Sequence, residues 1–90
     1  MNSYFHVYSK QRCNFCSKAK KMLKDAGDEF MVTDMTKAKS ALEILKGWTS
    51  WDTVPIVFHV QGDKQFFVGG CEELEQYLER NSDEEATEGK

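Results

Sequence analysis

Hydrophobic and polar residues alternate along the chain in blocks that predict four strands and three helices. Aromatic and β-branched residues concentrate in four short runs, a composition typical of strands. These runs are Tyr4–Tyr8, Glu29–Thr33, Ile56–Val60 and Gln65–Val68. The remaining apolar residues recur at spacings of three and four, which indicates amphipathic helices.

Each predicted helix has its own start and stop signals. The first begins at Asn14 and ends at Gly27, and the second takes Thr36 as its N-cap and ends near Gly47. The third follows the break at 69–70. The residues predicted to face inward are Ala19, Met22, Leu23 and Ala26 in the first helix, Ala38, Ala41, Leu42 and Leu45 in the second, and Leu74, Tyr77 and Leu78 in the third.

The resulting order is β-α-β-α-β-β-α, which predicts an α/β fold. Two strands joined by a crossover helix are parallel, whereas the last two, joined by a short turn at 62–63, form an antiparallel hairpin. We therefore expect one four-stranded mixed sheet flanked by three helices.

Charge separates a neutral body from an acidic end. The last ten residues carry four acids and one lysine, which accounts for the whole net charge of −3. Because this segment also lacks large apolar residues, we predict a domain over residues 1–80 and an acidic disordered tail over residues 81–90. A body without net positive charge does not indicate a nucleic-acid binder, and no apolar run predicts a membrane span.

Two of the three cysteines form a Cys-x-x-Cys pair, Cys13 and Cys16, between a predicted strand and a predicted helix. At a helix start, free backbone N–H groups and the helix dipole favour the thiolate over the thiol. Six bases and no acid within residues 9–24 add positive potential. Cys16 follows one turn later, within reach of a mixed disulfide on Cys13. The pattern predicts thiol–disulfide chemistry with Cys13 as the nucleophile.

Half of a zinc site is the alternative interpretation of this pair. Zinc takes four ligands, and the sequence has no second Cys-x-x-Cys and no closely spaced His pair. His6 and His59 lie in the middle of predicted strands, where packed or solvent-facing histidines are more common than ligands. We therefore favour redox chemistry and expect no metal site.

Three motifs, in this order and spacing, resemble those of the glutaredoxin family over roughly residues 3–80. They are Tyr8-Ser9-Lys10 followed by Cys13-Asn14-Phe15-Cys16, then Thr53-Val54-Pro55, then Gly69-Gly70-Cys71-Glu72-Glu73-Leu74. The resemblance implies the thioredoxin fold, which agrees with the predicted element order. It also implies a glutathione-dependent oxidoreductase that reduces protein–glutathione mixed disulfides and protein disulfides, with ribonucleotide reductase among its substrates.

The resemblance further implies where glutathione, the co-substrate, binds. Lys10 would take the glycyl carboxylate, and the backbone of Val54, before a cis Pro55, would pair with the cysteine of glutathione. The N–H groups of Cys71 and Glu72 would hold the γ-glutamyl carboxylate. The implied catalytic residues are Cys13 and Cys16, and the implied glutathione-binding residues are Lys10, Phe15, Thr53, Val54, Pro55, Gly70, Cys71, Glu72 and Glu73.

Several positions depart from the family pattern. Asn14 stands where proline is usual, Glu73 where aspartate is usual, and Asp52 where dithiol members often carry a base. Trp51 and Phe15 instead resemble the monothiol branch, whose members bind iron–sulfur clusters between two subunits. An iron–sulfur carrier is therefore the non-enzymatic alternative, and a redoxin reduced by thioredoxin reductase is the enzymatic one.

The partners expected from the sequence are glutathione and glutathionylated or disulfide-bonded proteins. We expect neither nucleic acid nor membrane as a partner, and we expect a monomer. A close cysteine pair in a chain with so few cysteines favours the cytoplasm over an oxidising compartment.

Overall fold

The structure is a computed structural model that describes residues 3–88, with the side chains of residues 3–80. Its elements follow the predicted order and confirm the predicted fold class. They are β1 (Ser3–Ser9), α1 (Asn14–Asp25), β2 (Phe30–Asp34), α2 (Lys39–Thr49), β3 (Ile56–Gln61), β4 (Lys64–Gly69) and α3 (Cys71–Glu88).

The four strands form one mixed sheet in the order β2-β1-β3-β4. β1 and β2 are parallel, with Val7 opposite Val32. β1 and β3 are antiparallel, as are β3 and β4. The parallel first pair and the antiparallel hairpin were both expected from the lengths of their connections. The end of β1 lies beside the start of β3 in this sheet. The loop into α1 and the segment before β3 therefore meet at one edge of the sheet.

Two hydrophobic clusters hold the layers together, one on each face of the sheet. On one face, α1 and α3 pack against the sheet through Phe5, Val7, Ala19, Leu23, Val57 and Leu74. On the other face, α2 packs alone through Leu42 and Leu45 against Ile56 and Phe58. Successive residues of β3 point to opposite faces, so this strand is buried on both sides.

The start of α2 differs from the prediction. Its N-cap is Ala38, which makes no side-chain capping bond, and not Thr36. Thr36 instead donates its N–H and its hydroxyl to Asp34, at 2.9 and 2.6 Å. An Asp two residues before a Thr stabilises a turn locally, and this turn competes with the capping bond. The inward positions predicted for Ala26 in α1 and Ala41 in α2 are also wrong, because both side chains are exposed.

The backbone of α3 remains helical to Glu88, eight residues past the predicted domain boundary. The helix thus includes most of the segment for which the sequence predicts disorder. Glu and Ala have high helix propensity, so a polar composition does not exclude a helix. The side chains from residue 81 onward, and residues 89–90 entirely, lie outside the described part. The tail and the boundary at residue 80 therefore stay predictions.

Candidate functional site

Cys13 is the N-cap of α1. Its backbone is extended, with φ −115° and ψ 106°, and the N–H of Cys16 donates to its Sγ at 3.1 Å. Its carbonyl accepts the N–H of Ser17 at 3.1 Å, which begins the helix. The sulfur therefore receives one of the N–H groups that a helix start leaves without an intrahelical partner. A negative charge on this sulfur is stabilised by both the hydrogen bond and the helix dipole.

Cys16 lies one turn into α1 and is buried, with 1% of its surface exposed. It forms a disulfide with Cys13, and the two Cα atoms are 5.2 Å apart. Cys13 is half-buried, so the two sulfurs differ in access. An incoming thiol or disulfide reaches Cys13, whereas Cys16 is reached only from Cys13 itself.

The segment before β3 brings a backbone carbonyl to the cysteine pair. The Val54–Pro55 peptide bond is cis, as the resemblance implies, and Pro55 is buried. The carbonyl oxygen of Val54 lies 3.8 Å from the Sγ of Cys13. Thr53, next to it, is exposed. The second motif therefore meets the first in space, although 41 residues separate them in the sequence.

Basic side chains surround the cysteine pair on its other side. Lys10, Arg12 and Lys20 line a cleft of about 280 Å³ together with Cys13 and Cys16. Within residues 3–80 none of the three bases makes an ion pair. Among the described residues that line this cleft, Asp34 is the single acid. Three bases against one acid make this cleft electropositive beside the sulfur.

The loop that carries Lys10 and Arg12 is tied to the turn that precedes α2. The N–H of Gln11 donates to the Thr36 hydroxyl at 2.8 Å, and that hydroxyl donates onward to Asp34. The hydroxyl and N–H of Thr36 hold the pKa of Asp34 below its usual value. Arg12 adopts a left-handed backbone, with φ 59°, directly before Cys13. These hydrogen bonds were not predicted from the sequence, although the Asp34-x-Thr36 spacing is typical of a turn.

The glycine pair forms the turn from β4 into α3. Gly69 has φ 126°, and the carbonyl of Gly70 accepts the N–H of Leu74 at 2.9 Å. The Glu73 carboxylate folds back to accept the N–H of Gly70 at 3.1 Å. Gly70 has no side chain to cap the helix, so within residues 3–80 the N–H groups of Cys71 and Glu72 donate to no protein acceptor. The turn thus presents two free donors at a helix start, a suitable arrangement for a carboxylate.

Trp51 packs over this turn, a position that no pattern in the sequence predicts. A Cβ on Gly70 would lie 3.3 Å from Cζ2 and 3.4 Å from Nε1 of the indole. That Nε1 is buried and has no hydrogen-bond partner in the described part of the chain. The glycine pair at 69–70 is the one sequence feature that could have indicated this contact, because a backbone without side chains lets an aromatic ring come close.

Cys71 is buried and does not pair with another cysteine. Burial raises the pKa of its thiol; Lys18 opposes this shift, and Glu75, Glu73 and Glu72 add to it. A thiol in this setting stays protonated at neutral pH and reacts poorly. The chemistry available to the chain therefore resides in the Cys13–Cys16 pair.

The predicted site residues fall into two groups. Lys10, Cys13 and Cys16 line one cleft, which the Val54 carbonyl approaches. Gly70 and Glu73 contact each other at the start of α3. The segment 51–55 touches both groups, at Trp51 and at Val54. Phe15 is 63% exposed, and Glu72 is also exposed. The binding role of each residue stays a prediction.

Two further findings concern the described residues as a whole. No group of three or more His, Cys, Asp and Glu side chains among them is arranged to hold a metal ion. None of the helices has a stretch long and apolar enough to cross a membrane.

Comparison with known proteins identifies relatives of this chain. The family model described as Glutaredoxin matches residues 6–64. Glutaredoxin-C1 of Arabidopsis thaliana is 34% identical over 71 residues, which cover 76% of this chain and 54% of that protein. A glutaredoxin of Ricinus communis is 36% identical over 69 residues, covering 73% of this chain and 64% of that protein. The chain thus spans between about half and two thirds of these relatives' lengths.

A solved structure supports the same relationship. The buckwheat glutaredoxin–glutathione complex superimposes with a TM-score of 0.75 at 26% identity. The match covers 88% of this chain and 71% of that one.

Proposed function

The chain belongs to the glutaredoxin family, and from this we propose that it is a glutathione-dependent thiol–disulfide oxidoreductase with Cys13 as its nucleophile. The observation that carries the proposal is the position of Cys13. Its sulfur caps α1, receives the Cys16 N–H at 3.1 Å, and lies beside the Val54 carbonyl. A half-buried sulfur at a helix start in electropositive surroundings is the setting in which cysteines become reactive thiolates.

Glutathione is the proposed co-substrate, and charge supports an extended binding mode. Lys10 lies at the basic cleft and would take the glycyl carboxylate. The backbone at Val54 would pair with the cysteine of glutathione in the manner of an added strand. At the other end, the free N–H groups of Cys71 and Glu72 would hold the γ-glutamyl carboxylate. The buckwheat relative was solved as a glutathione complex, which supports this ligand.

Two departures from the family pattern bear on affinity. Glu73 is predicted to face the γ-glutamyl ammonium, but its carboxylate accepts the Gly70 N–H. A carboxylate has several acceptor sites, so it can keep this bond and still accept from an ammonium. Asp52 is exposed and stands where dithiol members of the family often carry a base, so it would repel a carboxylate of glutathione. We expect weaker glutathione binding than in relatives with a base at this position.

The proposed reaction on a glutathionylated protein has two displacement steps. The Cys13 thiolate attacks the glutathione sulfur of the mixed disulfide, and the protein thiolate leaves and takes up a proton. A second glutathione thiolate then attacks the glutathione sulfur bound to Cys13. Glutathione disulfide is released, and the Cys13 thiolate is regenerated.

A protein disulfide requires Cys16 as well. Cys13 forms a mixed disulfide with the substrate, and Cys16 attacks the sulfur of Cys13 to release the second substrate thiol. The product is the Cys13–Cys16 disulfide, which is the state seen in the structure. Two glutathione molecules reduce it to the dithiol and leave as one glutathione disulfide. Ribonucleotide reductase, a substrate implied by the resemblance, would follow this route, and we propose a cytoplasmic setting, where thiols are kept reduced.

A coupled assay tests the proposal. The protein is given a glutathione mixed disulfide, glutathione, NADPH and glutathione reductase, and NADPH consumption is followed. Cys13→Ser is expected to remove turnover, because a neutral hydroxyl does not replace a thiolate. Cys16→Ser is expected to retain reduction of the mixed disulfide and lose reduction of a protein disulfide.

A lysine pair provides the matched control for glutathione binding. Lys10→Gln is expected to raise the KM for glutathione, whereas Lys24→Gln, at the far end of α1, removes the same charge without that effect. Full activity in Cys13→Ser would refute the nucleophile. Reduction by thioredoxin reductase instead of glutathione would favour the redoxin alternative. Visible absorbance after anaerobic purification, lost on chelation, would favour the cluster carrier.

A further inference from the structure

One face of the sheet is only partly covered. Four strands spaced about 4.8 Å apart make a face wider than the roughly 10–12 Å that one helix covers. Two helices, α1 and α3, cover one face, but α2 is alone on the other within residues 3–88. The cluster beneath α2 includes residues of β1 and β3 and none of β4. The α2 side of β4 is therefore open, and Phe67 on it is 38% exposed.

An aromatic cleft occupies this open corner. We use that name for the groove of about 420 Å³ that is lined by Trp48, Thr49, Phe58, Asp63, Gln65 and Phe67. Phe58 is buried and forms its floor. The Phe58 ring lies 6.2 Å from Trp48 and 5.6 Å from Phe67, measured between centroids. Rings from α2, β3 and β4 thus converge on one groove.

Exposure by itself does not distinguish this cleft. Ile44, one turn earlier on α2, is 73% exposed, nearly as much as Trp48 at 75%. Single exposed apolar residues are common on protein surfaces. The difference is that Trp48 borders a concave site with two other rings, whereas Ile44 lines none of the described clefts. Concave aromatic surfaces of this kind are typical of binding sites.

The polar residues of the aromatic cleft indicate the charge of its ligand. Within residues 3–80, Asp63 is the single charged residue that lines the cleft, and it makes no ion pair with this part of the chain. The Thr49 hydroxyl is already used, because it donates to the Leu45 carbonyl of its own helix at 2.9 Å. Aromatic faces carry negative electrostatic potential, so three rings and a carboxylate together favour a cation.

We propose that the aromatic cleft binds an arginine guanidinium from a partner protein. A guanidinium is planar and stacks on aromatic faces while its N–H groups pair with a carboxylate, which matches Trp48 and Phe67 beside Asp63. A lysine ammonium has no flat face for such stacking. The Gln65 side chain can accept a further N–H of the guanidinium.

The cleft lies next to the glycine turn. Phe67 also contacts Trp51, at 5.6 Å between centroids, and Trp51 in turn packs over Gly70. A protein bound at the turn therefore brings its neighbouring side chains to the cleft. The proposed cation site consists of residues of the aromatic cleft alone, so it does not depend on the redox function.

Paired peptides test the proposal directly. The probes are Gly-Gly-Arg-Gly-Gly with blocked termini and the same peptide with citrulline, which has the shape of arginine without its charge. Binding is followed by ¹H–¹⁵N NMR at the Trp48 indole N–H. We expect a saturable shift, with the arginine peptide about fivefold tighter than the citrulline peptide.

Matched variants locate the site. Asp63→Asn is expected to weaken the arginine peptide about threefold and leave the citrulline peptide unchanged. Trp48→Ala is expected to weaken both peptides, whereas Ile44→Ala, equally exposed on the same helix, changes neither. Equal affinities for the two peptides, an equal loss in Ile44→Ala, or the absence of a saturable shift at millimolar peptide would each overturn the proposal. The mixed-disulfide assay on the same variants reports separately on the redox function.

Discussion

Replacing Gly69 with alanine puts a methyl group where Glu73 already lies. A Cβ built on Gly69 falls 2.7 Å from Cβ and 2.8 Å from Cγ of Glu73. Carbon atoms pack best at about 3.5–4.0 Å. The Glu73 Cβ is fixed to the first turn of α3, so rotation of the Glu73 side chain does not relieve the overlap. Either the end of β4 or the start of α3 has to move.

The expected cost has two parts. At φ 126°, the backbone of Gly69 is in a region that L residues rarely adopt, which costs about 1–3 kcal/mol. Overlap in a packed site adds about 1–3 kcal/mol. Together they predict a loss of roughly 2–6 kcal/mol in the free energy of unfolding, a large fraction of the stability of a small domain. In a domain of this size, each kcal/mol lowers Tm by about 4–8 °C.

Gly62→Ala is the matched control. Gly62 also has a positive φ, 62°, but a Cβ there would meet nothing within 4 Å. This variant carries only the backbone cost, about 1–2 kcal/mol. Urea unfolding followed by tryptophan fluorescence gives the stability of both variants. Adding Glu73→Ala to Gly69→Ala removes the Cγ overlap and should recover part of the loss. Gly69→Ala no more destabilising than Gly62→Ala would refute the reasoning.

Three further predictions concern the anchor, the histidine and the third cysteine. Thr36→Ala is expected to lower the free energy of unfolding in urea by about 1 kcal/mol, because the Gln11 N–H loses its acceptor. Thr36→Ser keeps a hydroxyl and should retain most of the stability, so equal losses in the two variants would contradict this role of Thr36. Burial lowers the pKa of His59, with Asp28 opposing the shift, so unfolding takes up a proton and stability is lost as pH falls below about 6.5. In His59→Asn, the midpoint of urea unfolding should depend less on pH between about pH 5 and 7. If the midpoint changes with pH as much as in the unchanged protein, the loss of stability belongs to His6 or another group. In a protein that carries both Cys13→Ser and Cys16→Ser, we expect slow alkylation of Cys71 at neutral pH and fast alkylation in urea, because burial raises the pKa of its thiol. Mass spectrometry follows the labelling, and rapid labelling of the folded protein would contradict the burial of Cys71.

The histidine prediction rests on a specific contact. His59 stacks on Phe5 at 4.3 Å between ring centroids, and its Nδ1 lies 2.7 Å from the Tyr77 hydroxyl. The Gln61 amide nitrogen lies 3.3 Å from the same Nδ1. Both groups can donate to Nδ1, which assigns the neutral ring with its proton on Nε2. Protonation of Nδ1 would turn it into a donor, which the Tyr77 hydroxyl can still accept, but the Gln61 amide nitrogen would lose its acceptor.

Periodic and local signals were sufficient for the architecture. The spacing of Ala19 and Leu23 identified the buried side of α1, and both are fully buried. Gly27 terminated that helix as expected, with φ 76°. Thr36 was mistaken for an N-cap because a turn and a cap use the same residue types. In the structure the Thr36 hydroxyl donates to Asp34 and accepts the N–H of Gln11, which lies 25 positions away in the sequence.

The sequence by itself determined the order of elements, the buried side of α1 at Ala19 and Leu23, and the position of Cys13 at a helix start. These features follow from side-chain periodicity and from free N–H groups, both of which act within a few residues. Tertiary structure alone decided that the Val54 carbonyl approaches Cys13, that Trp51 packs over Gly70, and that β4 keeps an open aromatic face. Those contacts join segments that are distant in the sequence. Hydrophobic burial is non-directional, so the local pattern shows which residues are buried but not which distant segments they meet.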